Sequence, residues 1–543
     1  MADEANSDVT TAAGASGSLP TGGAGLGLPA ALALLGGLGN AAVGLLMTPE
    51  MPPLLADWPL RADIQGWIAD GGWGAEAQVA AALLLLTATL LGGAGALLAW
   101  RRLDAVQADA AGAQLEGALS GRVASMRVLA VSALLTLTAL VTPPLYSSDA
   151  SLYAYYGKIQ AVHGENPYRL PGRAFARTCA LPDAPHRVAT PGRPCRADAH
   201  CPPPSRCLVD PFVPTQAWLE VRAAYGPLAL WLFRVAYVEA LPPAANAWIL
   251  RALAGLALLA AVLALGRRRG PGAAALLGFS PLAWQSAGNG GHLEAAVCLL
   301  LIALLPRTET TPSSGLGWRA GALAGLLGLL KLPLAVLTLP MAWAAWRGAD
   351  PGLGTSRWRP LLATALPAVA LLGLGYAAYW CAPHPFHGLL EVGGTTIRTP
   401  LDLIRRLQLL AGGDAELAVA RALFALAAAA LALRLLIRRP AAIVDNALGV
   451  WLLLVALGSG IFHPWYALPG LLLCAMAAGP TRLGGKANAA LWLGLASPAV
   501  VPMAFLLLGS GAFAWPGVLW PTALLWLPVL GFLVRGRAVD SGR

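Results

Sequence analysis

Polar and aromatic residues recur at helical spacing in the segment SSDASLYAYYGKIQAVHGENPYRLP, residues 147–171. Steps of four and three separate Asp149, Tyr153, Tyr156, Gln160 and His163, which predicts one shared helix face. An ionised aspartate on that face can accept a proton as a general base. It can equally be an N-cap, because Ser-Ser-Asp before an apolar-periodic run is a typical capping sequence.

A second face of this predicted helix is expected to rest on lipid or on membrane spans; it comprises Leu152, Tyr155, Ile159 and Val162. Gly164 is expected to end the helix, and Asn166 with Pro167 to turn the chain.

Four further segments place polar side chains at the ends of apolar runs. They contain Asn289, His292 and Glu294; Lys331; His384, His387 and Arg398; and His463, Trp465 and Tyr466. Structural alternatives are a hydrogen-bonded histidine at 292, a lysine at 331 that snorkels to the interface, and membrane-belt aromatics at 465 and 466. A lysine inside an apolar run is costly unless it snorkels or pairs with an anion, so a phosphate is a candidate partner.

The composition excludes an ordinary soluble protein. Hydrophobic residues make up 57% of the 543 positions and charged residues only 12%, which is about half the usual charged share. The apolar residues form blocks of about 20, the length with which a helix crosses a bilayer. An all-α polytopic membrane protein is therefore expected, and the net charge of +10 indicates topology, not nucleic-acid binding.

Fourteen spans are predicted from these blocks: 26–47, 79–100, 124–145, 246–266, 271–288, 291–305, 317–330, 332–346, 360–380, 416–437, 443–461, 465–480, 487–509 and 514–534. With this set, every basic cluster that flanks a span falls on one side. The positive-inside rule makes that side cytoplasmic, together with both termini. This result requires 225–243 to be an interfacial or re-entrant helix on the outer leaflet. The unusual polar residues then gather at the outer face.

The predicted spans also indicate the domain organisation. Residues 1–25 are expected to be a disordered cytoplasmic tail, and 26–122 two N-terminal spans with a cytoplasmic segment. A membrane core covers 123–480, with an outer loop at 146–245 that carries a Cys-rich insertion at 172–214. The remaining residues, 481–543, hold the C-terminal spans and a cytoplasmic tail.

Four of the seven cysteines lie in the outer loop, at Cys179, Cys195, Cys201 and Cys207. A cluster of this kind outside the cytoplasm favours two disulfides, with three pairings open. A zinc site is the alternative, because His186 and His200 lie nearby, but the spacing matches no common zinc pattern.

The first outer loop reads Asp-x3-Tyr-x-Tyr-Tyr-Gly-Lys-x-Gln-x4-Gly-x-Asn-Pro-Tyr from Asp149. This pattern resembles the bacterial polyprenyl-phosphate-sugar-dependent glycosyltransferases of the GT-C superfamily, and is most similar to their mannosyltransferase-like members. Further matches, in order, are Tyr225-Gly-Pro-Leu, Gly291-His-Leu-Glu, Lys331-Leu-Pro and Pro464-Trp-Tyr.

The resemblance implies a GT-C-like bundle of about 12–14 transmembrane helices with a large first outer loop that carries interfacial helices. It also implies an active site at the outer surface of the plasma (inner) membrane, and it matches Asp149 to the catalytic aspartate. The implied reaction moves a hexose, with mannose favoured, from a polyprenyl-phosphate donor to a lipid-linked or cell-surface acceptor, with inversion. The chain departs from the pattern in its two extra N-terminal spans and its Cys-rich insertion.

Roles for the remaining residues are a hypothesis built on this chemistry. The donor phosphate is assigned to Lys331, Arg398 and His463. Sugar and acceptor contacts are assigned to Tyr153, Tyr156, His163, Asn166, His292, Glu294, Trp465 and Tyr466. A divalent cation, Mg²⁺ or Mn²⁺, stays open, because the loop lacks an adjacent Asp-x-Asp pair. The alternatives in other classes are a transporter or flippase for lipid-linked sugars and a non-catalytic membrane scaffold.

Overall fold

The computed structural model describes residues 26–47, 75–110, 114–144, 147, 149–189, 195–212, 219–305, 317–347, 358–381, 384–393, 398–410, 418–438, 442–458, 461–477, 484–509 and 519–541. The predicted N-terminal tail, 1–25, lies outside the described residues.

Helices dominate the described chain. The α-helices are Gly27–Met47, Ala75–Ala110, Gln114–Val141, Asp149–Ala161, Pro227–Ala236, Pro243–Arg269, Pro271–Phe279, Pro281–Trp284, Glu294–Leu304, Gly317–Leu330, Leu339–Arg347, Trp358–Ala378, His387–Gly393, Pro400–Leu410, Ala418–Arg438, Ile443–Leu453, Leu468–Ala477, Gly485–Gly509 and Leu519–Ser541. Short 3₁₀ and π turns extend or join several of them.

Five helices in the described residues are long and apolar enough to cross a bilayer: Ala80–Gln107, Gly121–Val141, Pro243–Arg269, Trp358–Ala378 and Val419–Arg438. The prediction of a helical membrane protein is confirmed at this level, by length and composition. Seven shorter apolar helices of 10–17 residues lie at other predicted spans or at the predicted interfacial helix. The count of fourteen spans and their orientation stay predictions.

Prolines break two of the predicted spans. The span expected at 271–288 is divided at Ser280 into two helices, Pro271–Phe279 and Pro281–Trp284. The span expected at 332–346 begins instead as a 3₁₀ helix, Leu332–Thr338, with Pro333 in its first turn. A proline has no N–H to donate and its ring crowds the preceding turn, which explains both interruptions.

The segment expected to lie on the membrane forms a helix of ten residues, Pro227–Ala236. Ten residues rise only about 15 Å, half of the hydrocarbon thickness. This length agrees with the reading that 225–243 does not cross the bilayer as a straight helix.

The Cys-rich insertion forms a small antiparallel sheet in the order β2-β1-β3, with β1 Arg177–Leu181, β2 Ala184–Val188 and β3 Arg206–Val209. The outer loop therefore carries a small sheet in addition to helices. Disulfides join Cys179 to Cys201 and Cys195 to Cys207, which confirms two disulfides and selects one of the three pairings. Sulfur atoms bonded to each other are not thiolate ligands, so the zinc alternative was wrong.

We expect cysteine counting to report this pairing in solution. The denatured, unreduced protein should take up a maleimide mass tag at three positions, Cys298, Cys381 and Cys474, and at all seven after reduction. Peptide mapping of the unreduced chain should recover the two pairs named above. Seven tags before reduction would contradict the disulfides.

Candidate active site

The helix Asp149–Ala161 begins at the residue predicted to be its start. The backbone N–H of Asp149 donates to Ser147 Oγ at 3.0 Å, so the serine accepts the bond that a cap would accept. The carboxylate of Asp149 is directed instead toward Tyr153 and His292. The N-cap interpretation of Asp149 is thus not the arrangement found, and its side chain is available for other chemistry.

Asp149 is almost buried, with 8% of its surface exposed. The Tyr153 hydroxyl lies 3.4 Å from Asp149 Oδ2, and His292 Nδ1 lies 3.4 Å from the same oxygen. Tyr153 and His292 are themselves 3.5 Å apart, so the three side chains form one cluster. Burial raises the pKa of Asp149 to about 6, against lowering contributions from the Ser147 hydrogen bond and the charge of Lys331.

Aromatic side chains around Tyr153 bury this part of the helix. Its ring stacks on Phe233 at 4.5 Å and meets the edge of Tyr225 at 5.0 Å. Both partners come from the segment 225–236, which includes the ten-residue helix. That segment therefore covers the start of the Asp149 helix and contributes to the desolvation of its carboxylate.

Lys331 and Glu294 bind each other. The ammonium of Lys331 lies 2.6 Å from Glu294 Oε1 and 3.8 Å from the centre of the Tyr466 ring. The helix Gly317–Leu330 ends immediately before Lys331, and Pro333 follows, so the chain turns where the lysine stands. The snorkelling alternative is wrong for this residue, because its charge is paired inside the protein.

The late histidine and tryptophan form a continuous stack with the hairpin histidine. Ring centres are 3.7 Å apart for His292 and Trp465, and 4.4 Å apart for Trp465 and His463. Burial, with the charges of Arg398 and Lys331, lowers the pKa of His463 well below its usual range. Trp465 is 7% exposed, so it is an internal packing residue and not a membrane-belt aromatic.

Most of these groups line one cavity of about 330 Å³, but Tyr153 and His292 are not among its lining residues. Its polar lining comprises Asp149, Tyr156, Arg222, Tyr225, Glu294, Lys331, His463, Trp465 and Tyr466. The remaining wall is mainly apolar and includes Leu152, Pro333, Leu334, Leu389, Val392, Trp451, Leu454, Val455, Ile461 and Pro469. A few converging polar groups in a mostly apolar pocket are typical of a small-molecule site.

Five predicted site residues are not in this lining: Tyr153, His163, Asn166, His292 and Arg398. Arg398 has a left-handed backbone (φ 57°); its N–H donates to Asp402 Oδ2 at 2.9 Å. His163 follows the end of the helix and packs on Phe175 at 4.6 Å, where burial lowers its pKa to about 4. Asn166 donates through Nδ2 to the Tyr379 carbonyl at 2.8 Å, and its Oδ1 accepts from the Tyr168 N–H.

The cavity does not offer a ligand set for Mg²⁺ or Mn²⁺. Hard cations need several oxygen ligands, and the ammonium of Lys331 already binds the Glu294 carboxylate. In the part of the chain that the structure describes, the one cluster of three or more metal-ligand residues is Cys179, Cys195 and Cys201, whose sulfurs are bonded in disulfides.

Sequence reasoning missed two charged residues near the site. Arg222 lines the cavity and binds Glu391 at 2.5 Å. Lys158, on the Asp149 helix, binds Asp210 at 2.6 Å with both side chains fully buried. Lys158 stood in the matched pattern, and that was the available signal; nothing in its spacing from Asp210, 52 residues away, pointed to the pair.

Comparison of the chain with protein-family models, with curated proteins and with solved structures finds no match in any of the three. The GT-C resemblance therefore rests on the residues themselves. What the structure adds is their placement: Asp149, Tyr156, Glu294, Lys331, His463, Trp465 and Tyr466 come from distant segments and line the same cavity.

We expect Glu294→Gln to destabilise the protein by about 3 kcal/mol, because it leaves a buried ammonium without its carboxylate. Lys331→Met in the same chain should restore much of this loss, since it removes the uncompensated charge. Thermal unfolding of the purified variants in detergent would measure both effects. Equal losses in Glu294→Gln and in the double variant would contradict an uncompensated ammonium as the cause of the destabilisation.

Proposed function

We propose that this protein is a membrane glycosyltransferase that moves a sugar from a polyprenyl-phosphate donor to a hydroxyl of a lipid-linked or cell-surface acceptor. The observation that carries the proposal is the position of Asp149: a buried carboxylate with a raised pKa lines the same cavity as Lys331 and a long apolar wall. This reaction requires a base for the acceptor hydroxyl, a cation for the leaving phosphate and an apolar surface for the isoprenoid tail.

The reaction begins with the acceptor hydroxyl at Asp149. The carboxylate accepts the hydroxyl proton while the acceptor oxygen attacks the anomeric carbon from the face opposite the phosphate. The bond from the anomeric carbon to the phosphate oxygen breaks, and polyprenyl phosphate leaves. The configuration inverts, so a β-linked donor gives an α-linked product. Base catalysis of this kind contributes about 100- to 10,000-fold.

Cations at the cavity are the candidates to stabilise the leaving phosphate. Lys331 can share its three N–H groups between Glu294 and a phosphate oxygen, and Arg222 is a second cation in the lining. The donor's isoprenoid tail would lie on the apolar side, against residues such as Trp451, Leu454 and Val455. Tyr156, Trp465 and Tyr466 offer flat faces for a sugar ring. We place this site at the outer surface of the plasma membrane.

The decisive variant is Asp149→Asn, which keeps the shape of the side chain and removes the base. It should lower transfer by at least about 100-fold while donor binding persists. The assay incubates membranes with a panel of labelled polyprenyl-phospho-sugars and analyses the products by mass. Asp445→Asn, in which the lost carboxylate pairs with Lys486, is the control for general effects of removing a carboxylate. Wild-type turnover in Asp149→Asn would refute the base assignment.

The pH dependence of transfer should report Asp149 directly. Only the ionised carboxylate accepts a proton, and its pKa is raised to about 6 by burial. Activity is therefore expected to be full above that pH and to decline as the pH falls through about 6. A profile of kcat/KM against pH measures this limb. A limb centred in the ordinary range of an exposed aspartate would contradict the buried base.

Transport is the competing function, and the same panel separates the two. A flippase would move intact labelled lipid across vesicles and form no new glycosidic bond. The polar groups of this cavity include a base that hydrogen-bonds neutral partners, which favours proton abstraction over passage of a substrate.

A further inference from the structure

Arg251 is a buried charge in the helix Pro243–Arg269, one of the five candidate spans. It is 5% exposed, and its three hydrogen bonds all go to main-chain carbonyls. Arg251 Nε donates to Gly288 at 3.0 Å, while Nη2 donates to Ala139 at 2.9 Å and Thr142 at 2.5 Å. Burying a guanidinium inside a span costs free energy. The residue is therefore a candidate for a structural or functional role.

The carbonyls that Arg251 binds belong to two segments that both lead to the site. Ala139 and Thr142 are at the end of the helix Gln114–Val141, where main-chain carbonyls have no helical partner and the helix dipole is negative. Thr142 precedes Asp149 by seven residues. Gly288 lies in the π turn Gln285–Asn289, four residues before His292.

Asn289 also binds carbonyls at the end of the helix Gln114–Val141. Its Nδ2 lies 2.8 Å from the Pro143 carbonyl, 3.2 Å from that of Thr142 and 3.4 Å from that of Ala139. Asn289 is 3% exposed. Two side chains from different elements therefore converge on one row of carbonyls.

Glycines let the two segments approach at this point. A Cβ on Gly288 would lie 2.7 Å from the Thr136 carbonyl oxygen, which is too close for any side chain. Gly291 has a φ of +67°, and a Cβ there would lie 3.1 Å from that of Ala150 and from Arg251 Cγ. The residue after Asp149 and the residue before His292 are thus packed directly on each other.

We propose that Arg251, with Asn289, is a positioning residue of the site: it holds the segment before Asp149 and the segment before His292 in register, and so sets the contact between the two side chains. The inference rests on the proposed function only for its effect on turnover. The contact itself, 3.4 Å between Asp149 Oδ2 and His292 Nδ1, is a feature of the fold.

Arg251→Lys tests this assignment, because it keeps the positive charge and cannot span both segments. Arg268→Lys is the matched control: Arg268 is on the same helix and donates to the carbonyls of Leu305 and Ala303 at another helix end. Asn289→Ala is the second test variant, and it decides the question if Arg251→Lys does not fold.

The readout is the titration of Asp149, measured without turnover. A hydrophobic carbodiimide reacts with protonated carboxyl groups, and peptide mapping by mass separates Asp149 from Glu294 in the purified protein. The groups that surround Asp149 are Ser147, Tyr153, Tyr156, Tyr225, His292, Glu294, Lys331 and Tyr466. All of these side chains stay in the variants, so a change reports their placement.

The labelling midpoint should fall from about 6 in the wild type by about one unit in Arg251→Lys and in Asn289→Ala, because a displaced loop admits water to the carboxylate. Arg268→Lys should keep the wild-type midpoint. Turnover in Arg251→Lys should drop about 100-fold in kcat with little change in KM for the donor. The midpoint is read on the folded fraction isolated by size-exclusion chromatography, because an unfolded chain exposes Asp149 and would also lower its midpoint.

An unchanged or higher midpoint in the folded test variants overturns the positioning role. The outcomes also separate the two proposals. If the midpoint falls as expected but wild-type membranes form no product from any donor of the panel, the positioning role stands and glycosyl transfer is refuted.

Discussion

Removing a charge from water costs several kcal/mol unless a partner lies within hydrogen-bond distance, and this cost governs the arrangement around the cavity. Lys331 is bound to Glu294, and Arg251 to three carbonyls at a helix end. Lys158 is bound to Asp210. Asp149 differs from all of these, because its direct partners are a tyrosine, a histidine and a serine. Its carboxylate is therefore the one in this group whose charge is only weakly compensated.

The Lys158–Asp210 pair connects the disulfide-bonded sheet to the Asp149 helix. Asp210 directly follows β3, and Lys158 lies on the Asp149 helix, so a fully buried ion pair joins the two. Tyr155 strengthens the joint through its hydroxyl bond to the Gly172 carbonyl at 2.9 Å and its stacking on Phe212. The Cys-rich insertion thus packs on the helix that carries Asp149.

Local patterns predicted local features well. The start of the helix at Asp149, the left-handed Gly164 after its end and the existence of two disulfides all follow from short stretches of sequence. The apolar face was predicted incorrectly: Tyr155 and Leu152 were expected on lipid or spans, but Tyr155 contacts the insertion and Leu152 lines the cavity. Periodicity distinguishes faces only where one face is exposed, and this helix is buried almost all round.

The contacts between side chains in the site could not be predicted from local sequence patterns, because they join residues that are far apart in the chain. Lys331 and Glu294 are 37 residues apart, and each was assigned a separate ligand because an isolated charge suggests one. Their pairing depends on which helix ends meet: Lys331 follows the end of Gly317–Leu330, and Glu294 begins the helix Glu294–Leu304. The two carboxylates of the cavity differ in their direct partners: Glu294 binds the ammonium of Lys331, whereas Asp149 contacts Tyr153 and His292. The proposed transfer therefore uses Asp149 as its base and not Glu294, because the Glu294 carboxylate already binds the ammonium of Lys331.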